Sequence, residues 1–197
     1  MEEPLDKPNR RNYPGVRLPV FVSSPSSLSP EQDDVRNEIL DMLDREKLAP
    51  RALGQSDYTE TSPLEQVCMI ANNCFGGLIL GFEQMRVTAG TRKHRARDND
   101  YRDVSKPIDS MLRFPTPWNH MEAGVLFALG KPLLIMCETG IEDGIFAMGT
   151  AGLYTQQLPG SLPALNTRRD QLEEVIRTWR GRVSTAYMNA WAHTRRP

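Results

Sequence analysis

Glu122 is the residue of this 197-residue chain whose type and setting best suit chemistry. It follows Thr116-Pro117-Trp118-Asn119-His120-Met121, and a largely apolar run continues from it to Gly130-Lys131-Pro132. Thr116 suits a helix N-cap, since its hydroxyl accepts an orphan backbone N–H, and Pro117 suits the first helical position, where no N–H is needed. Trp118, Met121, Val125 and Leu129 recur at helical spacing and read as the inward stripe, with Glu122 at its edge on the first turn. Gly130 ends this helix, and Leu133-Leu134-Ile135-Met136 reads as a parallel strand covered on both faces. A carboxylate near the carboxyl edge of such a sheet suits N-glycosidic bond cleavage, where it stabilises an oxocarbenium-like sugar cation or attacks it. The plainer alternative is a first-turn Glu that complements the helix dipole. Trp118, one turn earlier on nearly the same face, packs in the core or walls a base-binding pocket.

The rest of the chain supplies the frame that would position this carboxylate. Leu18-Pro19-Val20-Phe21-Val22 reads as a first strand, and the loop Ser23-Ser24-Pro25-Ser26-Ser27 leads to a second cap-plus-proline helix start at Ser29-Pro30. Val35, Ile39, Leu40 and Leu43 form the buried stripe of that helix. Arg51-Ala52-Leu53-Gly54 is a short second strand, and Ser62-Pro63 opens a helix that Gly76-Gly77 would end. Leu78-Ile79-Leu80-Gly81-Phe82 is the third strand, with Glu83 just beyond it. Between residues 84 and 114 the apolar pattern lapses and Arg86, Arg92, Lys93, Arg95, Arg97 and Arg102 accumulate, as in a long irregular insertion. That segment either clamps phosphates or is a solvated charged loop. After the fourth strand, Tyr154 to Leu158 is an extra strand, and a terminal helix carries Leu172, Val175, Ile176 and Trp179. This alternation implies an α/β fold with a parallel sheet of about five strands and right-handed crossovers. Residues 1–17 form an arm, 18–160 the α/β domain and 161–197 a C-terminal helix and tail.

Composition narrows the function classes. A net charge of −1 gives no general electrostatic reason for nucleic-acid or anionic-membrane binding, and no apolar run approaches membrane-spanning length. The polar, proline-containing start resembles no secretory signal, so a cytoplasmic location is expected. Cys68, Cys74 and Cys137 form no CxxC and sit in apolar segments, as buried reduced thiols do. His94 and His193 lack ligand-spaced companions, so no metal is expected, and His120 points away from Trp118 toward solvent or a partner. The serine loop carries neither GxGxxG nor a P-loop pattern.

Trp118-Asn119-His120-Met121-Glu122 fits the WxxxE pattern of TIR domains. Glu122-Ala123-Gly124 with Ala128-Leu129-Gly130-Lys131-Pro132 is similar to the nucleoside 2-deoxyribosyltransferase-like group, and Val20-Phe21-Val22-Ser23-Ser24 looks like that group's first substrate loop. The resemblance spans roughly residues 18 to 158. It implies a flavodoxin-like three-layer fold and a catalytic Glu, here Glu122, that cleaves a ribose–base bond. Thr116-Pro117-Trp118 replaces the deoxyribosyltransferases' Asp-Pro-Gly-type turn, and Asp57 matches their pocket Asp only loosely. Hydrolysis of NAD or a nucleotide therefore fits at least as well as transfer between bases. Ser23, Ser24, Tyr58, Phe82, Glu83, Trp118 and Asn119 are the expected substrate-binding residues, because each follows a strand or lies on the Glu122 turn. No cofactor is expected, NAD or a nucleotide being substrate. The expected partners are a small nucleotide or nucleoside and, where sites are completed across an interface, further copies of the chain. A non-catalytic nucleotide-signal-binding module and a TIR-type interaction module are the alternatives.

Overall fold

The structure is a computed structural model, and it describes residues 17–52, 62–93, 105–147 and 155–194. Five parallel strands make the central sheet: β1 (Leu18–Ser23), β2 (Leu48–Arg51), β3 (Gly77–Gly81), β8 (Leu133–Cys137) and β9 (Thr155–Gln157). They lie in the order β2-β1-β3-β8-β9. This is the flavodoxin-like arrangement, in which the chain first builds outward from β1 to one side, then returns across it to build the other. Helices α1 (Pro30–Arg45), α4 (Leu162–Asn166) and α5 (Arg169–Thr194) cover one face, and α2 (Pro63–Asn72) and α3 (Pro117–Ala128) cover the other. Alternation within the strands sorts the core between the layers. Val20, Val22, Leu78, Leu80, Leu134 and Met136 pack against α1 and α5, while Phe21, Ile79, Leu133 and Ile135 pack against α2 and α3.

The three serine or threonine caps expected before proline all form. Ser29 and Ser62 each close a full capping box, and the Thr116 hydroxyl accepts from the Trp118 N–H at 3.2 Å. Gly130 follows the C-cap Leu129 with φ +65°, the left-handed turn that suits glycine at a helix end. No helix among the described residues is long and apolar enough to cross a membrane.

Four local expectations change. The second strand begins at Leu48, three residues before the expected Arg51, because the register with β1 starts at Leu18↔Leu48; Leu53 and Gly54 of the expected strand lie outside the described residues. Gly76 and Gly77 do not end α2, which stops at Asn72 with Asn73 as its cap. They instead admit the two helical layers: a Cβ on Gly76 would meet Val183 Cγ2 at 2.6 Å, and one on Gly77 would meet Leu126 Cδ1 at 2.5 Å. The insertion is not irregular in its described parts. β4 (Met85–Val87) pairs antiparallel with β7 (Leu112–Phe114), and β5 (Thr91–Lys93) with β6 (Ser105–Pro107), making a ribbon. Ladder hydrogen bonds hold it, and its side chains are mostly exposed, so it carries no apolar periodicity to read.

The fourth change concerns α3. Its buried residues are Asn119, Glu122, Ala123 and Leu126, whereas Trp118 is 38% exposed and Met121 and Leu129 are also exposed. Of the expected inward stripe, Val125 packs partly buried against the core while the other three residues lie on a flank, and two polar residues occupy the face laid on the sheet. Apolar periodicity failed here because a helix that buries polar groups breaks the correlation the reading relies on.

Candidate functional site

Three side chains classed as polar or charged are buried among the described residues: Ser23, Asn119 and Glu122. They touch one another. Ser23 closes β1 at the sheet's carboxyl edge, and its Oγ accepts from Asn119 Nδ2 at 2.7 Å. The same amide nitrogen reaches the Leu80 carbonyl near the end of β3 at 3.4 Å. The Ser23 hydroxyl in turn hydrogen-bonds to the Glu122 carboxyl. An amide-to-hydroxyl-to-carboxyl relay thus links α3 to β1 and β3. β1 and β3 are the adjacent strands where the sheet order reverses, which is the crevice where open α/β sheets bind ligands.

Glu122 is not on the first turn of α3, which carries no acidic residue. With Pro117 at the first helical position it lies in the second turn, and it is only 7% exposed. Complementing the helix dipole therefore does not explain it, since that effect belongs to the terminal turn. Burial raises its pKa to about 7 by penalising the charged form, and the hydrogen bond from Ser23 acts in the opposite sense. Asn119 Oδ1 is buried and has no hydrogen-bond partner among the described residues. The cluster therefore holds a carboxyl poised between protonation states and an acceptor with unused capacity.

The other expected pocket residues separate. Ser24 is half-buried beside Ser23, and its hydroxyl contacts the Pro25 carbonyl at 3.5 Å. Trp118 keeps exposed ring surface one turn before Glu122. Phe82 is wholly enclosed in the core on the α1 and α5 face, so it offers no surface to a ligand. Glu83 is taken up by two guanidiniums: Oε1 lies 2.6 Å from Arg86 Nη2 and Oε2 lies 3.1 Å from Arg113 Nη1. Tyr58 and Asp57 lie outside the described residues. His120, expected to face solvent or a partner, sits against the 3₁₀ turn Gly144–Phe146, edge-on to the Phe146 ring at 5.4 Å between centroids.

Lys131 of the Gly-Lys-Pro run works at the opposite edge of the sheet. Its Nζ donates to the Cys74 carbonyl at 2.6 Å and the Asn72 carbonyl at 3.1 Å, satisfying acceptors at the end of α2. A cleft of about 630 Å³ with charged residues on its wall escaped the sequence reading. Gln32, Glu83, Glu138, Gln157 and Arg168 line it, and Glu122 does not. Only chain pairing brings these residues together, so no linear motif marks them. Among the described residues no group of three or more His, Cys, Asp or Glu is arranged to hold a metal ion. No family model and no curated protein matches this chain.

Proposed function

We propose that the chain is an N-glycoside hydrolase that acts on NAD or a related nucleotide or nucleoside through Glu122. The observation that carries this reading is the convergence of Ser23, Asn119 and Glu122, the buried polar side chains among the described residues, at the β1/β3 crevice. A protein core gains nothing from an ionisable side chain that an apolar one would not supply at lower cost, so a buried carboxyl at a ligand crevice suggests chemistry. In the proposed reaction the C1′–N bond breaks and the base departs with the bonding electron pair. The ionised Glu122 carboxylate stabilises the ribosyl cation, and water adds at C1′ and releases a proton. Ser23 fixes the carboxylate by donation, and Asn119 holds Ser23. Trp118, which keeps exposed ring surface one turn before Glu122, stacks on the base. Glu83 and Phe82 take no part.

The free thiols of Cys68, Cys74 and Cys137 fit a reducing, cytoplasmic setting. The reaction as written uses no cofactor, and the partner it needs is the nucleotide substrate; further copies of the chain would complete the site if it opens onto an interface.

Glu122→Gln is the deciding variant. Incubation of the whole chain with NAD, nucleotides and nucleosides, followed by chromatography, should show free base from the parent and roughly a hundredfold less or none from the variant. Undiminished base release by Glu122→Gln sinks the proposal. Tight binding without base release by the parent would assign the crevice to a signal-binding module, and no affinity to an interaction module.

A further inference from the structure

The cleft of about 630 Å³ lies over the carboxyl ends of β3, β8 and β9 and is closed by the first turn of α1 and by α4. Its charges are arranged unusually. Among the described residues, Glu138 accepts only from neutral donors, the Glu83 N–H at 2.6 Å and Gln32 Nε2 at 3.1 and 3.2 Å, and no cation pairs with it. Among the described residues, Arg168 donates only to neutral oxygens: the Gln157 carbonyl at 3.4 Å, Gln157 Oε1 at 3.3 Å and Gln171 Oε1 at 3.1 Å. Gln157 Nε2 also donates to the Thr139 hydroxyl, next in sequence to Glu138. A carboxylate and a guanidinium thus line one cleft with no ion pair between them among the described residues.

Here each of the two meets only neutral partners among the described residues, which leaves its charge available to a ligand. A guanidinium presents a planar fork suited to phosphate oxygens, and a carboxylate accepts from hydroxyl or amino donors. Arg86 and Arg113 add positive potential on the same wall, although Glu83 neutralises them in part. The volume suits a molecule of nucleotide size.

We propose that this cleft is a second ligand site, separate from Glu122, that binds a phosphorylated small molecule with its phosphate on Arg168 and a hydroxyl or amino donor on Glu138. Ser23, Asn119 and Glu122 do not line it, so it stands whether or not the chain cleaves N-glycosides.

The test uses the whole chain in the Glu122→Gln background, with adenosine 5′-monophosphate titrated by calorimetry and inorganic phosphate and adenosine as separate arms. The expected result is saturable binding of the monophosphate, weakened at least tenfold by Arg168→Gln and separately by Glu138→Gln, with both smaller probes binding more weakly. Glu138→Gln keeps side-chain shape and checks the site independently should Arg168→Gln disturb the α4–α5 junction. Absence of saturable binding overturns the proposal, as does affinity unchanged in both variants. Equal binding of inorganic phosphate and the monophosphate overturns the role of Glu138.

Discussion

On the proposed reading, Glu122 should couple activity and stability to pH in opposite directions. Its carboxyl has a folded-state pKa of about 7 against an ordinary value of 4.5, so the folded chain holds an extra proton between those values. Stability from this group is therefore complete below about pH 4.5 and is lost as pH rises through about 7. Glu122→Gln, which cannot ionise, should gain on the parent by on the order of 3 kcal/mol between pH 4.5 and pH 8. Urea unfolding at the two pH values measures this, and a pH-independent difference would contradict a buried, titrating Glu122. Activity should run the other way. If the ionised form stabilises the ribosyl cation, base release climbs through about pH 7 and levels off above it. A rate that falls over that range would make Glu122 a proton donor instead.

The elements explain why some side chains were legible and others were not. Serine or threonine before proline marked three helix starts because capping is a local interaction that two or three residues settle. The facing of α3 was misread because Trp118, Met121 and Leu129 outweigh Asn119 and Glu122 on any apolar count. That helix also has an unexploited position. A Cβ on Gly124 would meet nothing within 4 Å, so Gly124→Ala should stabilise the protein by about 0.5–1 kcal/mol through helix propensity, read as a higher Tm. A lower Tm would show that the backbone there is not freely helical. In the ribbon, Arg86 stands directly opposite Arg113, a repulsive cross-strand pair that Glu83 relieves by contacting both. Glu83 was expected in a substrate pocket, but its pairing with both arginines makes it a support for the base of the ribbon.

At the scale of the molecule, β3 is the strand on which both helical layers converge. Gly76 lies under Val183 and Trp179 of α5, and Gly77 lies under Leu126 of α3. Gly76→Ala would place a methyl 2.6 Å from Val183 Cγ2 and 3.3 Å from the Pro132 carbonyl oxygen, both held in a packed core. It should cost about 1–3 kcal/mol, seen as a lower urea midpoint with an unchanged slope. An unaltered midpoint would mean that α5 shifts freely on the sheet. Such a shift is opposed by the hydrogen bond from Trp179 Nε1 to the Pro132 carbonyl at 3.0 Å.

Local chemistry written in the chain determined the alternation of strands and helices, the caps, the left-handed Gly130 and, through them, a parallel α/β sheet with Glu122 near its carboxyl edge. Each of these depends on neighbours a few residues apart, so the linear sequence is enough. Tertiary structure alone decided that Glu122 is enclosed with Ser23 and Asn119 and that Phe82 turns to the other face. It also decided that Glu83 is held by two arginines and that Glu138 and Arg168 share a cleft. Those relations join residues up to 99 positions apart, as Ser23 and Glu122 are, and arise when strand order and helix facing are fixed by burial of the whole core. The carboxylate was visible in the sequence; its desolvation, and hence its pKa near 7, came only with the packing around it.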